Sequence, residues 1–416
     1  MRIPTLLSIT SALLVVLLNV AGRPAFAQVP IVATHTLTPT ADDLGDVPQY
    51  AHIQFGAAVS IDGDRVAIGM PTYTEHVGTT GPGRVGIYER TTEGWLRTAT
   101  LSPSNPGDSL FGSEVDLGGD TVAITARGGV TYVFREQDGA WRQIGRVAVG
   151  DPDRTLETHV AYDNGILALS HIGYDEAGND LPGEVYLYKD GAKHGLQRIA
   201  KLQASDGFPG DRFGASLAME RNVLVVGATN YIVAPPAAYV FARRGHDWVE
   251  RQKLSGGGEF NAFGASVAVH SRVILAGAPY ADVARGADDE DITSPEGIGY
   301  VFLPYRGGWS ESQMLNADGQ FYLRFGSKVA MGRGMVAAMT PTVSPFYSTV
   351  QGSVLVFDWV GQELRYGREA TRTPQGWIAT DVDFSGRTLV VGMNETLGPL
   401  FSNIIGRVVI VEFAED

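Results

Sequence analysis

A chain of 416 residues with 44 % hydrophobic and 19 % charged residues can bury a large core, which excludes a disordered protein. Its net charge of −14 and lack of any basic run exclude a nucleic-acid binder, because phosphate contacts need clustered Lys and Arg. The absence of cysteine excludes disulfides, thiolate metal sites and Cys nucleophiles.

In chain order, the first element is a targeting segment. Arg2 precedes an apolar run through Leu6, Leu7 and Leu13 to Leu18, and Ala25-Phe26-Ala27 fits a small-x-small cleavage site. Residues 1–27 therefore read as a signal peptide, and 28–416 as a single mature domain. The expected destination is outside the cytoplasm: periplasmic, secreted or cell surface. No later run approaches the ~18 apolar residues that span a bilayer, so no membrane span is expected in the mature chain.

An isolated strand-like fragment, Ile31 to Leu37, comes next, and a repeat follows it. Phe-Gly recurs at Phe55-Gly56, Phe111-Gly112, Phe213-Gly214, Phe263-Gly264 and Phe325-Gly326. Two degenerate copies, Leu156-Glu157 and Ile378-Ala379, align through the valine four residues after the first position. The mean spacing is about 54 residues.

Each unit holds four β-like segments. The first alternates with period two and ends in a tight polar turn, such as Asp62-Gly63-Asp64 or Asn164-Gly165, whose residues take positive φ. The second is short and wholly apolar, as in Leu224 to Gly227, which implies burial on both faces. The third runs from a glycine to an aromatic residue, as in Gly297 to Phe302. The fourth carries Trp six residues before an apolar residue, so Trp95 and Leu101 leave the same face. Seven such antiparallel units predict an all-β, seven-bladed β-propeller. The seventh unit ends at Asp416 before a fourth strand could form. The fragment Ile31 to Leu37 is expected to supply that strand, closing the last blade and covering an edge.

Phe-Gly, a buried strand and then Gly277-Ala278-Pro279 resemble FG-GAP repeats, which build the propeller of integrin α subunits. The likeness covers nearly all of 31–416, and Ala204 to Gly207 followed by Gly210 to Gly214 is similar to the short bacterial form. The resemblance implies a binding or adhesion-type module with a protein or glycan partner. Integrin-like repeats often carry a Ca²⁺ loop between the first two strands. Here those connections have two or three residues and cannot wrap the six to eight oxygens that Ca²⁺ needs, so no cofactor is expected. The acidic run Asp282, Asp288, Asp289, Glu290 and Asp291 lacks the Asp-x-Asp-x-Asp-Gly register and reads as a solvated loop, with Ca²⁺ as the alternative.

Catalytic patterns are poor: HExxH, Walker and GxSxG motifs are absent. Glu114 with Asp116, and Asp381 with Asp383, place carboxylates at i, i+2 on innermost strands, read as a solvated acidic channel rather than acid/base pairs. The long, dissimilar second-to-third-strand connections all emerge on one face, where binding residues concentrate on a rigid scaffold. They offer Tyr73, His76, Tyr174, Tyr231, Tyr280, Asp282, Phe346 and Tyr347 as candidate ligand-binding residues. The competing expectation is a carbohydrate-active lyase or hydrolase working at the channel mouth.

Overall fold

The computed structural model describes residues 28–40, 51–74, 81–151, 153, 155–191, 195–229, 235–256, 261–281, 296–317, 324–343, 350–395 and 404–415. All regular structure among them is β, arranged as seven four-stranded antiparallel blades in a ring. Blade five shows the pattern, from the axis outwards: Ser266–His270, Val273–Ala278, Ile298–Tyr305 and Gly308–Leu315. The tight turn after each first strand and the longer connection after each second strand put the two kinds of loop on opposite faces.

The last blade closes non-covalently. Trp377–Ser385, Thr388–Glu395 and Arg407–Phe413 form its three inner strands, and Ile31–Leu37 is the fourth. The register runs antiparallel from Ile31 opposite Phe413 to Leu37 opposite Val408. This pairing covers the outer edge of Arg407–Phe413.

Burial follows the strand order. The second strand of blade two, Thr121–Ala126, is buried at every residue because neighbouring blades cover both of its faces. The apolar clusters between blades mix residues from both, as Phe111 and Val122 do with Ala67 and Val85 of the blade before. All five phenylalanines of the Phe-Gly pairs are fully buried. Phe263 stands edge-on to Tyr300 at 5.3 Å and to Phe302 at 6.0 Å, both on its own third strand.

The spacing of the two glycine motifs has a steric cause. The Phe-Gly glycine has positive φ, +82° at Gly264, and its N–H donates to the carbonyl of Gly277 on the same blade at 2.9 Å. Gly277 in turn abuts the next blade: a Cβ there would fall 1.9 Å from the carbonyl oxygen of Gly326. The same contact joins Gly69 to Gly112, Gly227 to Gly264, and Gly392 to Gly56 across the ring closure. Phe-Gly and the first residue of Gly-Ala-Pro are thus the two halves of one interface between blades.

Candidate functional site: the axial channel and its mouth

Seven first strands surround the axis and wall a cavity of about 470 Å³. Three residues after each Phe position, the walls present Ala58, Glu114, His159, Ser216, Ser266, Lys328 and Asp381. Two residues further along come Ser60, Asp116, Ala161, Ala218, Ala268, Ala330 and Asp383. A second space of about 450 Å³ shares Ala57, Ser113 and Lys328 with the first and is bordered by Pro71 and Pro341. Both prolines lie in the final part of second strands, Arg65–Thr74 and Met335–Val343, where the chain runs out to the long connections, so this space is the mouth on the long-loop face.

Each first strand presents an edge to the axis, and in blades one, two, three and six side chains of the preceding blade accept from its N–H groups. Val59 and Ile61 donate to Asp381 Oδ2 and Asp383 Oδ2 at 3.0 and 2.8 Å. Val160 and Tyr162 donate to Glu114 Oε2 and Asp116 Oδ2 at 3.2 and 2.6 Å. Hydroxyls take over where carboxylates are absent: Leu117 N–H donates to Ser60 Oγ at 3.1 Å, and Val329 N–H to Ser266 Oγ at 3.0 Å. The carboxylate pairs expected to form a solvated acidic channel are therefore clasps between blades. An exposed strand edge with no other partner draws them in.

Two ion pairs lie on the first level. His159 Nδ1 meets Glu114 Oε1 at 2.6 Å, and Lys328 Nζ approaches Asp381 Oδ1 at 3.6 Å. Burial disfavours the charged imidazole, but the Glu114 carboxylate outweighs it and lifts His159 to about 9. Burial likewise raises the Glu114 carboxyl, and His159 more than reverses this, holding it below its usual value. Asp381 raises the Lys328 ammonium further.

The second level has no cation. Burial pushes Asp383 up to about 6 and Asp116 well above the usual carboxylate range. Ser60 Oγ lies 2.9 Å from Asp383 Oδ2 and 3.4 Å from Asp116 Oδ1. One hydroxyl proton cannot serve both, so the two carboxyl groups compete for it.

The rim is more sparsely described. Tyr280 is 40 % exposed, its N–H donates to the Asn261 carbonyl at 3.2 Å, and the Arg324 guanidinium of blade six lies 5.2 Å from its ring centroid. Tyr174 is 37 % exposed and opens a turn in which Asp175 Oδ1 accepts from the N–H groups of Ala177 and Asn179, both at 2.8 Å. The two tyrosines belong to blades five and three, and the fold does not bring them together. Tyr73 lies within the strand Arg65–Thr74, and its side chain is outside the described residues. His76, Tyr231, Asp282, Phe346 and Tyr347 are outside them too, as is the acidic run of Asp288, Asp289, Glu290 and Asp291. Among the described residues no cluster of three or more His, Asp or Glu is placed to hold a metal ion.

Sequence reasoning missed His159 and Lys328 as channel residues. The signal was present: stacking the seven units in columns puts both in the column of Glu114 and Asp381.

Residues 197–241 match the family model described as FG-GAP repeat. The chain is a seven-bladed β-propeller that carries an FG-GAP repeat match. A search of curated proteins gives no match. Among solved structures, this propeller is similar to Saccharomyces cerevisiae Sqt1, at 10 % identity and a TM-score of 0.46, over 88 % of this chain and 97 % of that one. It is also similar to a protein from Lactobacillus plantarum, at 11 % identity and a TM-score of 0.48, over 77 % and 86 %. Likeness at this level carries no functional argument.

Proposed function

We propose that this FG-GAP propeller is an exported interaction module whose long-loop face binds a protein or glycan partner. One observation carries the reading: Tyr280 stays exposed on that face while its backbone is anchored to Asn261 and its ring is braced by Arg324. An aromatic side chain already held in place loses little entropy on binding, which is what an interface anchor requires. The acidic composition is consistent with a partner other than nucleic acid, and no helix among the described residues is long and apolar enough to cross a membrane. No cofactor or metal enters this reading.

The test is a pull-down and glycan-array screen with residues 28–416, followed by surface plasmon resonance on whatever is captured. Tyr280→Ala should weaken that binding by about 1–3 kcal/mol with an unchanged melting curve. Glu93→Ala, in an exposed turn on the opposite face, should leave it unchanged. Loss of binding in Glu93→Ala alone would move the interface to the other face.

A second reading, a polysaccharide lyase or hydrolase at the channel mouth, draws on the raised carboxyls of Asp116 and Asp383. Against it, both already accept backbone N–H groups, and Phe384 is the single aromatic residue among those lining the cavity. Polysaccharide cleavage that disappears in Asp383→Asn would establish this reading in place of the first.

A further inference from the structure

The charges on the first two levels of the channel are sorted by side. The four carboxylates there, Glu114, Asp116, Asp381 and Asp383, stand in blades two and seven, which flank blade one. The two basic residues there, His159 and Lys328, stand in blades three and six, which flank the serine-bearing blades four and five. Further along, Glu220 of blade four also lines the cavity and pairs with His270 of blade five at 3.6 Å. The first two levels are therefore polarised across the width of the cavity, with an acidic arc facing a basic one.

The two arcs differ in how far their hydrogen-bonding capacity is used. The carboxylates accept N–H groups from the following blade, whereas the Lys328 ammonium keeps donors in reserve. Lys328 has three donors, and its approach to Asp381 at 3.6 Å is too long for a hydrogen bond. Its side chain is 41 % accessible, and that access is to the channel and its mouth, both of which it lines. His159 faces a carboxylate at each nitrogen, Glu114 Oε1 at 2.6 Å and Glu157 Oε2 at 3.7 Å, and its buried Nε2 is closed to a ligand. Lys328 lies close enough to disfavour the charge on His159. An oxyanion beside Lys328 would relieve that repulsion and take up its spare donors.

The carboxylates on the same level decide what kind of oxyanion fits. A multiply charged anion such as phosphate would meet Glu114 and Asp381 at close range and be repelled. A molecule carrying a carboxylate and an ammonium group would match both arcs at once. We propose that the channel is a binding site for a small zwitterion of amino-acid size, entering from the long-loop face. Its carboxylate lies against Lys328, and its ammonium group points to the Asp381 and Asp383 side. A cavity of about 470 Å³ is within the ~300–1,000 Å³ span of small-ligand sites. This site is separate from the rim around Tyr280.

The experiment is a thermal-shift and calorimetric screen of residues 28–416 against each standard amino acid and glycine betaine. Acetate, propionate, ethylammonium and inorganic phosphate serve as half-ligand and anion probes. At least one zwitterion should raise the melting temperature and bind saturably, about tenfold or more tighter than either half-ligand. Lys328→Gln should weaken that binding about tenfold or more. Should this variant fail to fold, the ranking of probes on the unaltered chain still decides the question. No shift with any zwitterion overturns the proposal. Phosphate or acetate binding as tightly as the best zwitterion overturns the assignment of the ammonium subsite.

Discussion

The contact between blades five and six and the contact between blades two and three solve the same problem differently. At the first, Gly277 meets the carbonyl of Gly326 with no room for a Cβ. Two glutamine clasps then repeat along the outer strands: Gln252 with the backbone of Trp309 between blades four and five, and Gln313 with that of Leu364 between blades five and six. At the second, Thr125 stands where Gly277 does, and the next blade opens with Glu157 in an extended strand opposite Ile172. The glycine contact is gone, and the pair Glu114–His159 spans the interface at the axis. Blades six and seven repeat the exchange, with Met339 and Ala379 in the glycine positions and Lys328–Asp381 as the ion pair. At these two interfaces glycine is lost from both halves, whereas between blades three and four only the first half changes, with Ser170 against Gly214; the two that lose both carry His159 and Lys328.

Changes at the two kinds of interface should differ in cost. The largest effect is expected at the seam of the ring, where Ile31–Leu37 pairs with Arg407–Phe413 without a covalent link. Removing residues 28–43 deletes the outer strand of blade seven and should cost more than about 4 kcal/mol, with aggregation on heating. An unchanged melting transition would show that the strand does not close the ring in solution.

Phe263→Ala should cost about 3–5 kcal/mol in chemical denaturation, because a fully buried ring with two aromatic neighbours leaves a cavity. Gly277→Ala should cost about 1–3 kcal/mol, since its Cβ would meet a backbone oxygen that cannot move without shifting the next blade. At the matching site between blades six and seven, Met339→Leu should cost less than about 1.5 kcal/mol. Equal costs at positions 277 and 339 would remove the distinction between the two kinds of interface.

The ion-pair interfaces should also respond to pH. His159 is lifted to about 9 from an ordinary 6.5, so its contribution is complete below about 6.5 and is lost as pH rises through about 9. Melting temperatures should fall across that window, and His159→Gln should flatten the fall. Asp383, raised to about 6 from 3.8, acts in the same direction in a lower window. Its charge disfavours the fold above about 6, and the penalty is relieved as pH falls towards 3.8. Asp383→Asn should remove this acid-side gain. The smallest effect belongs to Glu157→Gln, which weakens a 40 % exposed pair with Arg212 and should cost less than about 1 kcal/mol.

The blade count, the four strands of each unit and the strand Ile31–Leu37 were legible in the sequence, because each is written in local periodicity. Phe-Gly and Gly-Ala-Pro were legible as motifs, but not as partners, since the glycines that touch lie in successive blades, 37 to 49 residues apart or on either side of the ring closure. The channel was legible only as acidic. That its carboxylates cap neighbouring strand edges follows from which N–H groups the ring leaves free, and no local pattern encodes that. The pairing of Glu114 with His159 and of Lys328 with Asp381 likewise arises only when closing the ring brings the first strands of neighbouring blades side by side around one axis.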